Sequence, residues 1–461
     1  MKRVFIGVFI LMAGALIGQD GKASSPDKER LDQLYDAVQV GDVEVATQLL
    51  RSGVDPNGGT DTYPDIPFHK AISQGNKEMV TAFIEAGARL NGPFESNQTP
   101  LSSVGGLLPF VGDAENLLEF LISKGADPRQ DPHALAAAAK RDLDQVRFLL
   151  DRGAPLTAEA LGAAVQAYKM DVFEFLLQKG ADSKAVLQDG DTLFYCACAS
   201  SYHSFSHDTE SPKVVTAMLD RLLALGVNPE SANKKGRTPV HGAVESVNKE
   251  ALKWLIQHGA NLDATDHQGQ TALMLAAHHF LELPEVVSIL ASGGASLDLL
   301  DRQNRSALDH AYETSRWLVV EKLVSLGASY GDAEAFIRRL VKTTETETIQ
   351  TSSLRRMVTK VLPAIQDAKS FEVDGRSLMV WAVLVNDLEL LKAFLAAGCP
   401  VDASDSDGRT PLLWAGMVGA KDIYAHLLLL GADPASTDIE GRTTEQWLAI
   451  SSKRFSKPLI E

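Results

Sequence analysis

Apolar residues recur along this chain at helical spacing, in runs that each close on a glycine. In VVEKLVSLG the residues Val319, Val320, Leu323 and Val324 fall on one stripe of a helix, and Gly327 follows it. A glycine there takes the left-handed conformation that closes a helix C-terminus. The ending recurs as QLLRSGVDP, AFIEAGARL, EFLISKGADP, RFLLDRGAPL, EFLLQKGADS, RLLALGVNP, WLIQHGANL, ILASGGASL, AFLAAGCPV and LLLLGADP. The marker glycines are Gly53, Gly87, Gly125, Gly153, Gly180, Gly226, Gly259, Gly294, Gly327, Gly398 and Gly431. Gly226 and Gly259, Gly294 and Gly327, and Gly398 and Gly431 are each 33 residues apart, and 35 separate Gly259 from Gly294. Such a period predicts an array of repeated units.

Downstream of the glycine comes a turn signal and then a second helix start, clearest in GRTPVHGAV (236–244) and GRTPLLWAG (408–416). Thr238 or Thr410 suits the N-cap, and Pro239 or Pro411 the first turn. The alanines that follow allow close helix approach. With the GAD-type endings, these residues resemble the ankyrin repeat over about residues 31–461. The resemblance implies an all-α solenoid of stacked helix pairs with projecting turns, about twelve units with degenerate and capping ones, used mainly to bind proteins. TPVHGAV and TALMLAA match well; SALDHAY, SLMVWAV and TLFYCAC match loosely, and TTEQWLA suits a polar cap. His241 holds the family's TPLH position, which implies a structural hydrogen-bonding role.

Three stretches depart from the period. From Gly125 to Gly180 the intervals shorten to 28 and 27, with most of the turn lost, and from Gly180 to Gly226 there are 46 residues, SSYHSFSHDTESP being inserted. From Gly327 to Gly398 there are 71, with TTETETIQTSS between them. The expected organisation is a first repeat block over 24–330, a degenerate unit with a polar loop over 331–370, and a second block with its cap over 371–461.

The N-terminus changes the picture of location. Lys2 and Arg3 precede an apolar run from Val4 to Gly18, and small residues precede Ser24. That is the layout of a secretory signal peptide over residues 1–23; an uncleaved membrane anchor is the alternative, although a span usually needs about 20 apolar residues. The expectation is an exported chain, periplasmic or secreted and bacterial, with no stable membrane insertion after cleavage. Its 44 basic and 60 acidic residues give a net charge of −16, which repels phosphate backbones and argues against nucleic acid. The three cysteines, Cys196, Cys198 and Cys399, are too few for a disulfide framework and read as packed thiols.

Candidate chemistry is thin. Cys196, Cys198, His203 and His207 could be imagined as zinc ligands, but one residue between the cysteines is short of the usual two to four. DASDSDGRTPLLWA fails as a calcium loop, since Ala403 and Trp414 fall where carboxylates are needed. No nucleophile elbow, HExxH helix, phosphate loop or dinucleotide fingerprint is present, and the histidines are scattered. No enzyme activity and no cofactor are expected. Trp381, Trp414 and Trp447 stand 33 apart at one repeat position, as either a core ladder or an aromatic binding stripe. Arg338, Arg339, Lys342, Arg355, Arg356 and Lys360 form either a basic patch for an acidic partner or membrane surface, or solvated helix faces.

The turns supply the candidate partner-binding residues. Asn233–Gly236, Asp266–Gly269, Asp301–Asn304, Asp405–Gly408 and Asp438–Gly441 share a first residue and a fourth suited to a type I turn. Their middle pairs must project: Lys234 and Lys235, His267 and Gln268, Arg302 and Gln303, Ser406 and Asp407, Ile439 and Glu440. A constant frame with variable tips suits display to a protein partner, as scaffold, inhibitor or stabiliser in a cell envelope. A secreted effector or immunity-type protein blocking an enzyme is the alternative, and a metal-dependent protein using residues 196–207 the remote one.

Overall fold

A computed structural model of the chain describes residues 26–59, 66–92, 99–104, 114–187, 189–200, 211–344 and 349–454. The predicted leader, His203 and His207 lie outside them. The chain is all-α, an ankyrin-repeat solenoid of stacked helix pairs, and it divides into two compact units, one ending at Asn228 and the other beginning at Pro229. Residues 331–370 lie inside the second unit.

Among the described residues the first unit holds six helix pairs: α1 (Pro26–Val40) and α2 (Val43–Arg51), α3 (Pro67–Ser73) and α4 (Lys77–Glu85), α5 (Pro100–Val104) and α6 (Ala114–Ser123), α7 (Ala134–Ala139) and α8 (Leu143–Asp151), α9 (Ala158–Gln166) and α10 (Met170–Gln178), and α11 (Leu193–Cys198) and α12 (Ser211–Ala224). Each first helix packs on the first helix of the next pair. The Ala-rich α7 and α9 pack closely although the turn between their pairs is shortened.

The second unit continues with α13 (Pro239–Glu245) and α14 (Lys249–Gln257), α15 (Ala272–His278) and α16 (Pro284–Ser292), α17 (Ala307–Glu313) and α18 (Trp317–Leu326), and α19 (Ala333–Thr344) and α20 (Thr351–Val361). A two-stranded hairpin, β1 (Glu372–Val373) and β2 (Arg376–Ser377), leads to α21 (Leu378–Leu384) and α22 (Leu388–Ala396), α23 (Pro411–Val418) and α24 (Lys421–Leu429), and the final α25 (Thr444–Arg454). Second helices pack in an unbroken row from α14 to α22. First helices pack closely from α13 to α17 and again from α21 to α25. The longer α19 meets its flanking first helices mainly through side chains: the Tyr312 and Thr343 hydroxyls bond at 2.7 Å, and Trp381 Nε1–H donates to Thr344 Oγ1 at 3.1 Å.

Helix ends follow the local sequence. Every marker glycine has a positive φ, from 74° at Gly226 to 108° at Gly125. Thr271 and Thr410 Oγ1 accept N–H bonds from Met274 and Leu413. Thr238 N–H donates to His241 Nδ1 at 3.2 Å, and His241 Nε2–H donates to the Gln270 carbonyl at 3.1 Å. Burial lowers the His241 pKa, so the neutral ring makes both bonds and ties one unit to the next.

The core lies between the two helix rows, and each pair completes its neighbour's share of it. Leu252→Ala, at a site with no exposure, should cost about 2–5 kcal/mol in urea unfolding followed by circular dichroism. Leu429→Ala, where the side chain is 83% exposed, should stay within about 0.5 kcal/mol. Equal losses at the two sites would show that the core does not lie between the rows.

Candidate functional site

Each finger of the second unit is built around one side chain. Asp301 Oδ1 accepts from the N–H groups of Gln303 and Arg305 at 2.8 and 2.9 Å. The backbone closes the same loop: Asn304 N–H donates to the Asp301 carbonyl, and Asp301 N–H to that of Arg305, both at 3.0 Å. Asp266, Asp405 and Asp438 repeat this arrangement, and Asn233 does so with its amide oxygen. A short side chain is required, because the oxygen must reach N–H groups two and four residues on. The fourth residue takes φ from 57° at Asn304 to 79° at Gly269, which explains Gly or Asn there.

In three fingers the second carboxylate oxygen is held from the helix that follows. Asp301 Oδ2 accepts from His310 Nε2 at 2.8 Å, Asp405 Oδ2 from Trp414 Nε1 at 2.9 Å, and Asp438 Oδ2 from Trp447 Nε1 at 3.1 Å. The donor lies nine residues after the aspartate each time. Trp414 and Trp447 are half-buried finger anchors, and the Arg442 guanidinium covers the Trp447 ring at 4.2 Å. Trp381, without an aspartate nine residues back, is buried and bonds Thr344. The tryptophan column is therefore neither a plain core ladder nor a bare aromatic stripe.

Consecutive fingers are joined by their backbones. The N–H groups of His267, Arg302 and Ile439 donate to the carbonyls of Lys235, Gln268 and Asp407 at 3.0, 3.3 and 3.3 Å. Ser406 N–H donates to Gly375 O at 3.2 Å, which puts the Asp374-Gly375 hairpin turn in the same row. Lys234, Lys235, His267, Gln268, Arg302, Gln303, Ser406, Ile439 and Glu440 are exposed. Asp407 is half-buried and pairs with Arg409 at 2.8 Å. The first three fingers carry basic tips or His267, whereas the last two carry Asp407 and Glu440.

Other candidates sit elsewhere. Cys196, Cys198 and Cys399 are buried free thiols. Burial, with Asp191 nearby, pushes the Cys196 pKa up to about 12, so its thiolate is disfavoured. Among the described residues no group of three or more His, Cys, Asp and Glu side chains is placed to hold a metal ion. Five of the six residues of the basic cluster have partners within the chain, and Lys360 is exposed. Arg338 donates to the Glu372 carbonyl, Lys342 lies 3.8 Å from Asp374, Arg355 pairs with Asp387 at 2.9 Å and Arg356 with Glu321, while Arg339 covers the Tyr312 ring at 4.0 Å. Among the described residues no helix is long and apolar enough to cross a membrane.

Sequence reasoning missed the 372–377 hairpin, which FEVDGRS signals through Asp374-Gly375, the commonest type of two-residue hairpin turn. It also passed over Leu299-Leu300, apolar residues 37% and 57% exposed in the stem of the 301–304 finger.

Comparison with known proteins agrees with this architecture. A family model described as ankyrin repeats matches residues 34–132 and 211–301, and the second match includes the 233–236 and 266–269 fingers. Among curated relatives, the ankyrin repeat domain-containing protein SAT10 of Stachybotrys chartarum is 27% identical over 297 residues, 63% of this chain and 13% of that protein. The B-cell lymphoma 3 protein homolog of Mus musculus is 29% identical over 162 residues, 35% of this chain and 34% of that protein. Glycerophosphocholine phosphodiesterase gde1 of Schizosaccharomyces pombe is 34% identical over 107 residues, 23% of this chain and 9% of that protein. The chain thus matches between 9% and 34% of the length of these relatives.

The finger carboxylates make stability depend on pH. At Asp301 and Asp438 burial alone would raise the pKa, but it is outweighed by N–H bonds, the Arg305 or Arg442 guanidinium, and the His310 or Trp447 ring. The net result is about 2, against an ordinary 3.8. A depressed carboxylate stabilises the fold above its unfolded pKa, and that contribution is lost as pH falls through the folded one. Unfolding free energy should therefore decline between pH 3.8 and about 2. The Asp301→Asn, Asp438→Asn double variant should show a shallower decline, other paired carboxylates retaining the remainder. An identical slope in wild type and variant would show that the fingers do not carry this dependence.

Proposed function

We propose that this chain, which carries ankyrin repeats at residues 34–132 and 211–301, is an exported protein that binds another protein noncovalently through the finger row of its second unit. The observation that carries the reading is the contrast between frame and tip. The frame is held by one carboxylate or amide per finger and by N–H···O=C bonds between fingers. The tips change from Lys234-Lys235 to His267-Gln268, Arg302-Gln303, Ser406-Asp407 and Ile439-Glu440. A frame held through the tip backbones lets the tip side chains vary with the partner, and little backbone ordering entropy is then lost on binding. Export rests on the charged and apolar N-terminal segment, and the net charge of −16 supports a protein partner over nucleic acid.

The test is in vivo cross-linking of the tagged full-length chain in its native host, with identification of what co-purifies from each cell fraction. Lys234→Glu, Lys235→Glu and Arg302→Glu together should weaken capture of that partner by about tenfold or more while helical content stays unchanged. Undiminished capture by the folded triple variant would remove these fingers from the binding surface.

A further inference from the structure

The finger row is interrupted at α19. Elsewhere in the second unit the first helix begins 13 residues after its marker glycine, as from Gly294 to Ala307 and from Gly398 to Pro411. α19 begins only 6 residues after Gly327 and runs for 12, so the residues that form a finger in other units are wound into helix. A helix there cannot fill the space of a finger, and two cavities flank it. One of about 300 Å³ lies toward the 301–304 finger and is lined by Leu300, Leu308, Tyr312, Tyr330, Phe336 and Arg339. The other, about 340 Å³, lies toward the β1–β2 hairpin, among Val341, Val373, Arg376, Leu378, Trp381 and Leu384.

The backbone ladder breaks at the same place. In the regular row each finger's third carbonyl accepts the next finger's second N–H. The Gln303 carbonyl and the Asp374 N–H occupy those roles on the two sides of α19, and among the described residues neither makes that bond. The stem beside the break is also unlike the others. Leu299-Leu300 stand where other fingers have Ala264-Thr265, Ala403-Ser404 and Ser436-Thr437.

We propose that this break anchors an extended, acidic segment of a partner protein, its apolar side chains entering the two cavities. The proposal rests on the reading of the second unit as a protein-binding surface and names the partner's chemistry. Leu300, Leu308 and Phe336 in the first cavity and Val341, Val373 and Leu378 in the second suit apolar anchors. Asp298 and Asp309 in the first and Asp374 in the second keep the carboxylates of the segment on the basic fingers rather than in the cavities. An open carbonyl on one side and an open N–H on the other suit an extended backbone, as in strand addition to a sheet edge. Leading to the break are the tips Lys234, Lys235, His267 and Arg302, with no acidic residue among those three fingers' tips, in a chain of net charge −16. Local basic character against an acidic total steers carboxylates to this stretch.

The test is selection of a displayed random-peptide library on the full-length protein, followed by affinity measurement on the enriched peptides. They should combine acidic and apolar residues, bind more weakly as salt rises, and lose roughly tenfold or more in affinity to Leu300→Asp. Leu300 is 57% exposed, so that variant should fold as wild type does. Leu429→Asp, at an 83% exposed site on α24 outside the finger row, should leave affinity unchanged. Peptides sensitive to Ile439→Asp, on the last finger, but not to Leu300→Asp would overturn the anchor and leave the binding role standing. A selection that enriches nothing also overturns the anchor, and failure of cross-linking in the native host as well would overturn the binding role itself.

Discussion

No helix pair among the described residues can hide its own apolar stripe. α15, for example, buries Ala272, Leu273, Met274, Leu275, Ala276 and Ala277, nearly its whole circumference, although it is only 7 residues long. A helix that short is unstable alone in water. It persists because α13 and α17 cover its two sides and α16 its third. The stability of each pair is thus lent by its neighbours, and the chain is a sum of nearest-neighbour contacts rather than one centre. That dependence explains why the period is so visible: every unit must present the same surface to the next. It also explains why α7 and α9 tolerate a shortened turn, since their alanines keep the backbones close.

The finger aspartate is a second, local constraint, and it separates two jobs. One oxygen shapes the loop and in three fingers the other is tethered to the following helix, so the frame draws on the backbones of the tip residues and does not specify their side chains. His310, Trp414 and Trp447 are interchangeable in this tether because each presents a ring N–H at the same reach from the helix. What they share is a donor, and neither size nor aromatic surface is the common requirement. The tryptophan spacing alone could not distinguish a core ladder from a binding stripe, because periodicity records position and is silent about hydrogen bonds.

Architecture was legible in the sequence to a high degree for the same reason: the Gly endings and TPVH-type starts report steric and capping demands that act within a few residues. The five fingers were legible because Asp or Asn at the first position and Gly or Asn at the fourth are demanded by local geometry. The hairpin at 372–377 was not, since its turn has two residues and falls outside the four-residue frame. Leu299 and Leu300 were missed because an apolar pair in a turn has no periodic partner to mark it. The winding of residues after Asp332 into α19 was recognised only as a missing marker and an irregular interval. Whether a finger or extra helical turns fill such an interval depends on what the flanking units allow.

That irregular unit shows how a repeat array can acquire a unique place. A regular row of fingers offers many similar positions, and a partner could slide by one unit at small cost. α19 breaks the equivalence, because the ladder stops at Gln303 and resumes only at Gly375, and a cavity opens on either side. The second-helix row passes through α20 without a gap, so the interruption does not cost the unit its continuity. The arginines on α19 are spent on closing the distance to its neighbours: Arg338 stacks over Phe371 at 4.5 Å, and Arg339 over Tyr312 at 4.0 Å. Long side chains there replace the close backbone approach that alanines provide elsewhere. A position that differs from every other in lining, hydrogen bonding and packing sets a register along an otherwise repetitive surface.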